Sequence, residues 1–344
     1  MRLVIGASIM AIIAAPAAGA DAQIESTVAR HVGAIVPPDG AGGVAVALRF
    51  EGRTRFFNYG WADRADKRLI ASDTLFNLAS LRKVFEATLL AEAVRNGELR
   101  LDEPVAKYVT ELAQDRDIAR LTLGQLATHT SGLLLPQPEF IRTLNAWKAQ
   151  KPPGAQHLYT HAGYVLLQLA LERRYGTRIE ELIEQRLLRP LGMASTMVRS
   201  LSPEHKRRAV QGYAEDGTPL REPGSQESYY HWQGTGQMYS SPRDMAVFLA
   251  ANLGELPVEQ PLREAMRLAQ QGIVTIDPGN RQALAWEISF GDAPTIIEKY
   301  GGLNNASAYI GMMAHRKLGI VLLGNNEVGR RIMLDLATAR RRRT

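Results

Sequence analysis

The chain has no cysteine in its 344 residues. That absence excludes disulfides, iron–sulfur clusters, zinc–thiolate sites, a thiol nucleophile and a lipid-bearing N-terminal cysteine. Lysine is scarce as well: of 41 basic residues, 8 are Lys and 33 are Arg. They are scattered, so the net charge of +6 builds no nucleic-acid face, and no nucleic-acid partner is expected. The one dense run, Arg340 to Arg343, reads as a solvated tail. Past the N-terminus no apolar stretch is long enough to span a bilayer. What remains is globular in composition, with 45% hydrophobic and 22% charged residues, which rules out a long disordered chain. A chain this long can bury roughly 75% of its unfolded surface without covalent staples.

The N-terminus carries Arg2, an apolar run from Leu3 to about Ala15, and the small-residue ending Ala18-Gly19-Ala20. This reads as a secretory signal peptide over residues 1–20, cut after Ala20 or, as second choice, after Ala22. The apolar run falls short of the ~20 residues of a spanning helix, which disfavours a membrane anchor. A single periplasmic domain over residues 21–344 is expected, monomeric and without a membrane span.

Apolar residues at helical spacing predict a helix over 24–36. Val44 to Phe50 and Thr54 to Tyr59, joined by Glu51-Gly52-Arg53, predict a β-hairpin. Residues 81–96 predict a strong helix ended by Gly97. Helical patterns dominate to about residue 270. Ile310–Met313 and Leu318–Leu323 read as strands, and a last helix covers about 328–340. Strands at both ends with helices between predict an α+β fold: an antiparallel sheet from the N- and C-terminal strands, flanked by helices, with an inserted helical lobe. The α/β lobe would take about 24–75 and 270–344, the helical lobe about 76–269.

Ser80 and Lys83 open the strong helix. A serine there lies near unpaired backbone N–H groups, and a lysine three residues on shares its helix face. Burial of that face would lower the lysine pKa and let the amine take the hydroxyl proton. The plainer reading is an N-cap serine and an ordinary helix lysine. With 14 Ser and 8 Lys, such a pair is expected about 0.3 times by chance, so the spacing alone says little.

The surrounding sequence says more. TLFNLASLRKVF (residues 74–85) resembles the nucleophile region of the SxxK acyl-transferring serine enzymes, the class C β-lactamases and penicillin-binding proteins. The resemblance runs along most of the mature chain. Gly60-Trp61-Ala62-Asp63 looks like the family's small turn motif ahead of the nucleophile. Gly97 to Val105, Leu121 to Leu133 (LTLGQLATHTSGL), Arg189 to Met193 and Ser240 to Met245 are similar to further signatures of the family. It implies a β-lactamase/transpeptidase-like fold with Ser80 as nucleophile. Tyr159, in Tyr159-Thr160-His161, stands at the family's Tyr-x-Asn and would be the general base. Its phenol, ordinarily near pKa 10, would be drawn down by Lys83 and Lys299. Lys299-Tyr300-Gly301 stands at Lys-Thr-Gly. The N–H groups of Ser80 and Gly302 would form the oxyanion hole. His161, Tyr300, Gly301 and Asn304 would contact substrate. No cofactor is implied.

Two positions depart from the pattern. His161 replaces an asparagine, and a neutral imidazole offers one donor and one acceptor where an amide offers more. Tyr300 replaces a threonine, and a phenol cannot put its oxygen in the same place. Both leave the bond-breaking set intact and shift the expected substrate range, for instance towards carbapenem-like lactams or a non-lactam ester or peptide. His157 and His161 are spaced as a metal pair would be on a helix, but the segment reads as loop and no third ligand stands out, so no metal is required. His129 reads as a structural hydrogen-bonding residue, and Tyr229, Tyr230 and Trp232 as cleft or core aromatics. The expected function is a periplasmic serine hydrolase of class C β-lactamase type, acting on a β-lactam or peptidoglycan-like small molecule through an acyl-enzyme. The alternatives are a D,D-peptidase or esterase of the same fold, and, from another class, a non-catalytic binder or sensor.

Overall fold

The computed structural model describes residues 20–326, apart from 34–35, 37–39, 135–138, 199–200, 215, 223–237, 291–293 and 304. The signal peptide assigned to 1–20 lies outside the described residues except for Ala20. So do the helix read at 328–340, Tyr229, Tyr230, Trp232 and Asn304.

Nine strands form one antiparallel sheet: β1 (Gly43–Phe50), β2 (Arg53–Asp63), β3 (Arg68–Leu69), β8 (Val274–Asp277), β9 (Asn280–Gln282), β10 (Glu287–Ser289), β11 (Ile296–Leu303), β12 (Ala306–Met313) and β13 (Leu318–Gly324). Their order is β3-β2-β1-β13-β12-β11-β10-β9-β8. The short strands β4 (Phe76–Asn77), β5 (Gly212–Tyr213), β6 (Pro219–Leu220) and β7 (Tyr239–Ser240) form two further pairs, β4 with β7 and β5 with β6. The first and last long strands are direct neighbours, Val46 opposite Leu322, so the sheet is built from both ends of the chain. This is the expected α+β arrangement.

Strand alternation sends β1 side chains to two cores. Val44, Val46 and Leu48 join Leu318, Ile320 and Leu322 of β13 under helix α1 (Ala20–Gly33), which lays down Ile24, Val28 and Val32 four residues apart. Ala45 and Ala47, with Val321 and Leu323, face the larger core. There the sheet meets α2 (Arg82–Arg95), α5 (Pro242–Asn252) and α6 (Gln260–Ala269). Helix α5, within the segment read as the helical lobe, packs on β1 and β13, while α6 packs on α2. Phe85 of α2 and Phe248 of α5 stack at 4.1 Å. Two further helices, α3 (Leu123–Ala127) and α4 (His161–Tyr175), pack against each other, and α4 also packs on α2.

Two local expectations need correction. Gly60-Trp61-Ala62-Asp63 is not a turn but the end of β2, which runs on beyond Tyr59. Gly60, at φ +77°, sits against the backbone of Gly42 and Gly43, and Trp61 N–H donates to Gly42 O at 3.0 Å, so pairing continues. The turn comes after it, where Asp63 Oδ1 accepts from the N–H groups of Ala65 and Asp66. The second concerns residues 274–289, where no strand was read and three are present.

Candidate active site

Ser80 lies in a single 3₁₀ turn, Ala79–Leu81, between β4 and α2. The residue before it, Ala79, takes φ +47°, a strained conformation for a side-chain-bearing residue. Asn77 Oδ1 secures it by accepting from Ala79 N–H at 2.9 Å. The N-cap of α2 is Leu81, and no side chain caps the helix there. The plain capping role for Ser80 is therefore absent, and its Oγ is turned to other partners.

Those partners come from three elements. Lys83 Nζ, on α2, donates to Ser80 Oγ at 3.4 Å. The Tyr159 hydroxyl donates to the same oxygen at 2.7 Å. Lys299, on β11, places its Nζ 5.0 Å from the Tyr159 ring centre, and Lys83 places its own at 5.6 Å. Both lysines are buried, at 0% and 1% exposure. Tyr159 is 37% exposed, yet its oxygen is turned inward onto Ser80.

Tyr159 and His161 flank the N-cap of α4, Thr160, whose hydroxyl accepts from Ala162 N–H. Thr160 is pinned in turn, donating through Oγ1 to Leu134 O at 3.0 Å and through its N–H to His129 Nδ1 at 3.4 Å. His129 O accepts from Leu158 N–H at 2.7 Å, and its ring packs against that of Tyr159, centres 4.3 Å apart. His129 stands at φ +55°. It is thus a buried residue that fixes the chain on both sides of Tyr159. Among the described residues its Nε2 has no hydrogen-bond partner.

The electrostatics follow from burial and charge. Desolvation pushes the Tyr159 phenol up, but Lys83, then Lys299, and the hydrogen bond with Ser80 pull it down, and the net direction is down. Desolvation lowers Lys83, only partly offset by Tyr159 and Glu86. Desolvation also opposes charge on Lys299, but Glu287, then Tyr159 and Tyr300, outweigh it and hold that ammonium above its ordinary range. His161 is pushed down to about 3 by burial, then by Lys83 and Lys299. Burial and the same two cations also hold His129 well below the usual imidazole value.

Glu287 escaped the sequence reading. It lies on β10, and its Oε1 accepts from Lys299 Nζ at 3.0 Å. Nothing in Trp286-Glu287-Ile288 marks it, because its role depends on the pairing of β10 with β11. Asn77 and its Asx turn could have been suspected from the spacing to Ala79.

Gly301 on β11 meets the serine turn directly. A Cβ there would lie 2.5 Å from Leu78 O and 2.8 Å from Ser80 N, so only glycine lets β11 approach this closely. Gly302 follows, paired with Ser307 of β12. Tyr300 is half-buried, its ring centre 5.7 Å from Lys299 Nζ. His161 Nδ1 is 3.4 Å from Lys83 Nζ, while His157 Nε2 is 2.9 Å from Gln282 Oε1. Helix α4 begins at His161, so His157 and His161 do not share a helical face. Among the described residues no cluster of three or more His, Asp or Glu could hold a metal ion, and no helix is long and apolar enough to cross a membrane.

A family model described as Beta-lactamase matches residues 28–342. A β-lactamase of Pseudomonas fluorescens is 28% identical over 82% of this chain and 88% of its own length. One from Escherichia coli K12 is 26% identical over 92% of each. Among solved structures, a class C β-lactamase superposes with a TM-score of 0.81 at 24% identity, covering 92% of this chain and 96% of that one. D-alanine carboxypeptidase AmpC from Burkholderia cenocepacia does so with a TM-score of 0.80 at 26% identity, covering 93% and 99%. A family match over residues 28–342, on a sheet that pairs its first and last long strands and carries a serine–lysine–tyrosine cluster, shows that the chain belongs to the beta-lactamase family.

Proposed function

We propose that this chain is a serine β-lactamase of the class C type, exported to the periplasm, with Ser80 as its nucleophile. The observation that carries the reading is Ser80 Oγ held 2.7 Å from Tyr159 Oη and 3.4 Å from Lys83 Nζ, with Lys299 Nζ 5.0 Å from the phenol ring centre. With the phenol ionised, the short contact reverses, and Ser80 O–H donates to the phenolate. Oγ attacks the lactam carbonyl carbon as Tyr159 takes its proton. The N–H groups of Ser80 and Gly302 hold the oxyanion. The tetrahedral centre collapses, the C–N bond breaks, and the proton passes to the leaving nitrogen. Water then gives a proton to Tyr159 and attacks the acyl carbon. Ser80 Oγ leaves with that proton returned. Lys299, kept charged by Glu287, favours the phenolate and attracts an anionic substrate. All these groups come from one chain, so the site needs no second copy.

His161 and Tyr300 support a substrate preference shifted from that of enzymes with Asn and Thr there. A solved relative named D-alanine carboxypeptidase keeps a second reading open, in which the acyl-enzyme releases slowly. One assay separates them. A carbapenem, a chromogenic cephalosporin, a simple ester and a D-alanyl-D-alanine peptide are compared by burst kinetics and intact mass. At least one lactam is expected to turn over through an adduct on Ser80, with S80A slower by roughly 10³-fold or more. Stoichiometric labelling with slow release selects the peptidase. An S80A enzyme as fast as the parent would overturn both.

A further inference from the structure

Directly behind Lys83 lies a buried ion pair that the bond-breaking steps above do not use. Arg82 and Glu86 are 2% and 0% exposed. Arg82 Nε donates to Glu86 Oε1 at 2.6 Å. Arg82 Nη2 donates to Gln168 Oε1 at 2.9 Å, and Gln168 Nε2 to Glu172 Oε1 at 3.0 Å. The network therefore ties α2, which carries Lys83, to α4, which starts at His161. Glu86 Oε2 is buried and, among the described residues, accepts no hydrogen bond. A buried carboxylate oxygen in that position is stabilised only through space. Glu86 is three residues after Lys83, on the same helix face, one turn deeper.

We infer that Glu86 is a positioning residue for catalysis: a carboxylate, anchored by Arg82, that acts as a rear counter-ion and keeps Lys83 an ammonium beside Tyr159. The inference rests on the proposed roles of Lys83 and Tyr159. Lys83 faces Ser80, Tyr159, His161, His129 and Tyr164 at the front and Lys299 across the phenol; Glu86 is the one acidic group acting on it from its own helix. Glu86 itself faces Arg82, Lys83, Tyr164 and the more distant Glu172. Desolvation raises its carboxyl, and Arg82 and Lys83 offset this only in part. The short bond from the Arg82 guanidinium favours the carboxylate form. Tyr159 and Glu86 share the task of holding the Lys83 proton; Lys299 opposes it.

The test is the pH dependence of kcat/KM for a lactam substrate. E86Q removes the rear charge, so Lys83 loses its proton sooner. The alkaline limb moves down by about one pH unit, the scale of one opposite charge within 4–6 Å. E86D restores most of the parent profile. R82M/E86L removes both charges and leaves neither unpaired; it shifts the limb in the same direction and serves if E86Q folds poorly. Melting temperatures are recorded for each. An E86Q or R82M/E86L enzyme that melts earlier but keeps the parent limb would overturn the inference and leave a structural pair. Labelling of Ser80 in the parent separates that failure from failure of the functional reading, which would appear as no Ser80 adduct at all.

Discussion

At position 161 two neighbouring ammonium groups exclude a third positive charge. Burial, then Lys83 and Lys299, push the His161 imidazole down to about 3. It is neutral throughout the working range, and with Lys83 donating to Nδ1 its remaining hydrogen sits on Nε2. It therefore presents a donor to a ligand, as an asparagine amide would, but from a ring of different reach. The low value also bears on stability. The unfolded chain takes up this proton near pH 6.5, while the folded chain refuses it down to about 3. The unfolded state holds the extra proton between those limits, so stability falls as pH drops through that window. The slope is at most about 1.4 kcal/mol per pH unit. H161N lacks the group, so its melting temperature should fall less than the parent's between pH 7 and 4.5. His129 changes stability in the same direction but is present in both proteins. Parallel losses in the two would mean that His161 is not held neutral.

At the scale of elements, β11 and the serine turn are fitted to each other at one residue. G301A would put a Cβ into Leu78 O and Ser80 N, and neither backbone group can give way cheaply. The turn or the strand must shift, separating the proposed oxyanion donors. We expect kcat/KM to fall by about 10²-fold or more, the effect of losing one such donor, with little change in a spectrum reporting the sheet. Full activity would show that the close approach is dispensable. The contrast between legible and illegible elements has a similar physical origin. Strands β1, β12 and β13 and helices α1 and α2 announce themselves through β-branched runs or long apolar periods, because each buries a continuous face. Ser80, Lys83, Tyr159 and Lys299 could be named from local motifs. Strands β8 to β10 could not be seen: three or four residues, half-exposed, leave no period to count. Glu287 stayed hidden with them, since its partner is set by a register between strands. Strand β2 runs on past Tyr59 because Gly60, which the family resemblance puts in a turn, uses its positive φ for a close strand contact.

The whole molecule has no disulfide, so its first and last long strands are joined by strand pairing, by the apolar core under α1 and by the side chain of Asn325. Asn325 follows β13 and is fully buried. Its Oδ1 accepts from Gly43 N–H at 2.7 Å, at the start of β1. Its Nδ2 donates to Trp61 O at 3.0 Å on β2 and to Gln211 O at 2.7 Å beside β5. Its own carbonyl accepts from Tyr213 N–H at 2.9 Å. One amide thus binds the last strand, the first two strands and the middle of the chain. N325A strips the partner from two buried backbone groups, Gly43 N–H and Gln211 O, at about 1–3 kcal/mol each, and from the half-buried Trp61 O. Stability should drop by roughly 3 kcal/mol or more, seen as a lower denaturant midpoint. N325L fills the volume without restoring a bond, so it should lose a comparable amount; a large rescue by leucine would assign the loss to the cavity instead. Strand β12 separates Asn325 from Gly302 of β11, and the Asn325 side chain bonds towards β1 and β2, so kcat/KM per folded molecule should stay within about twofold at temperatures where the variant is native. A variant that keeps its stability would mean that strand pairing alone closes the sheet.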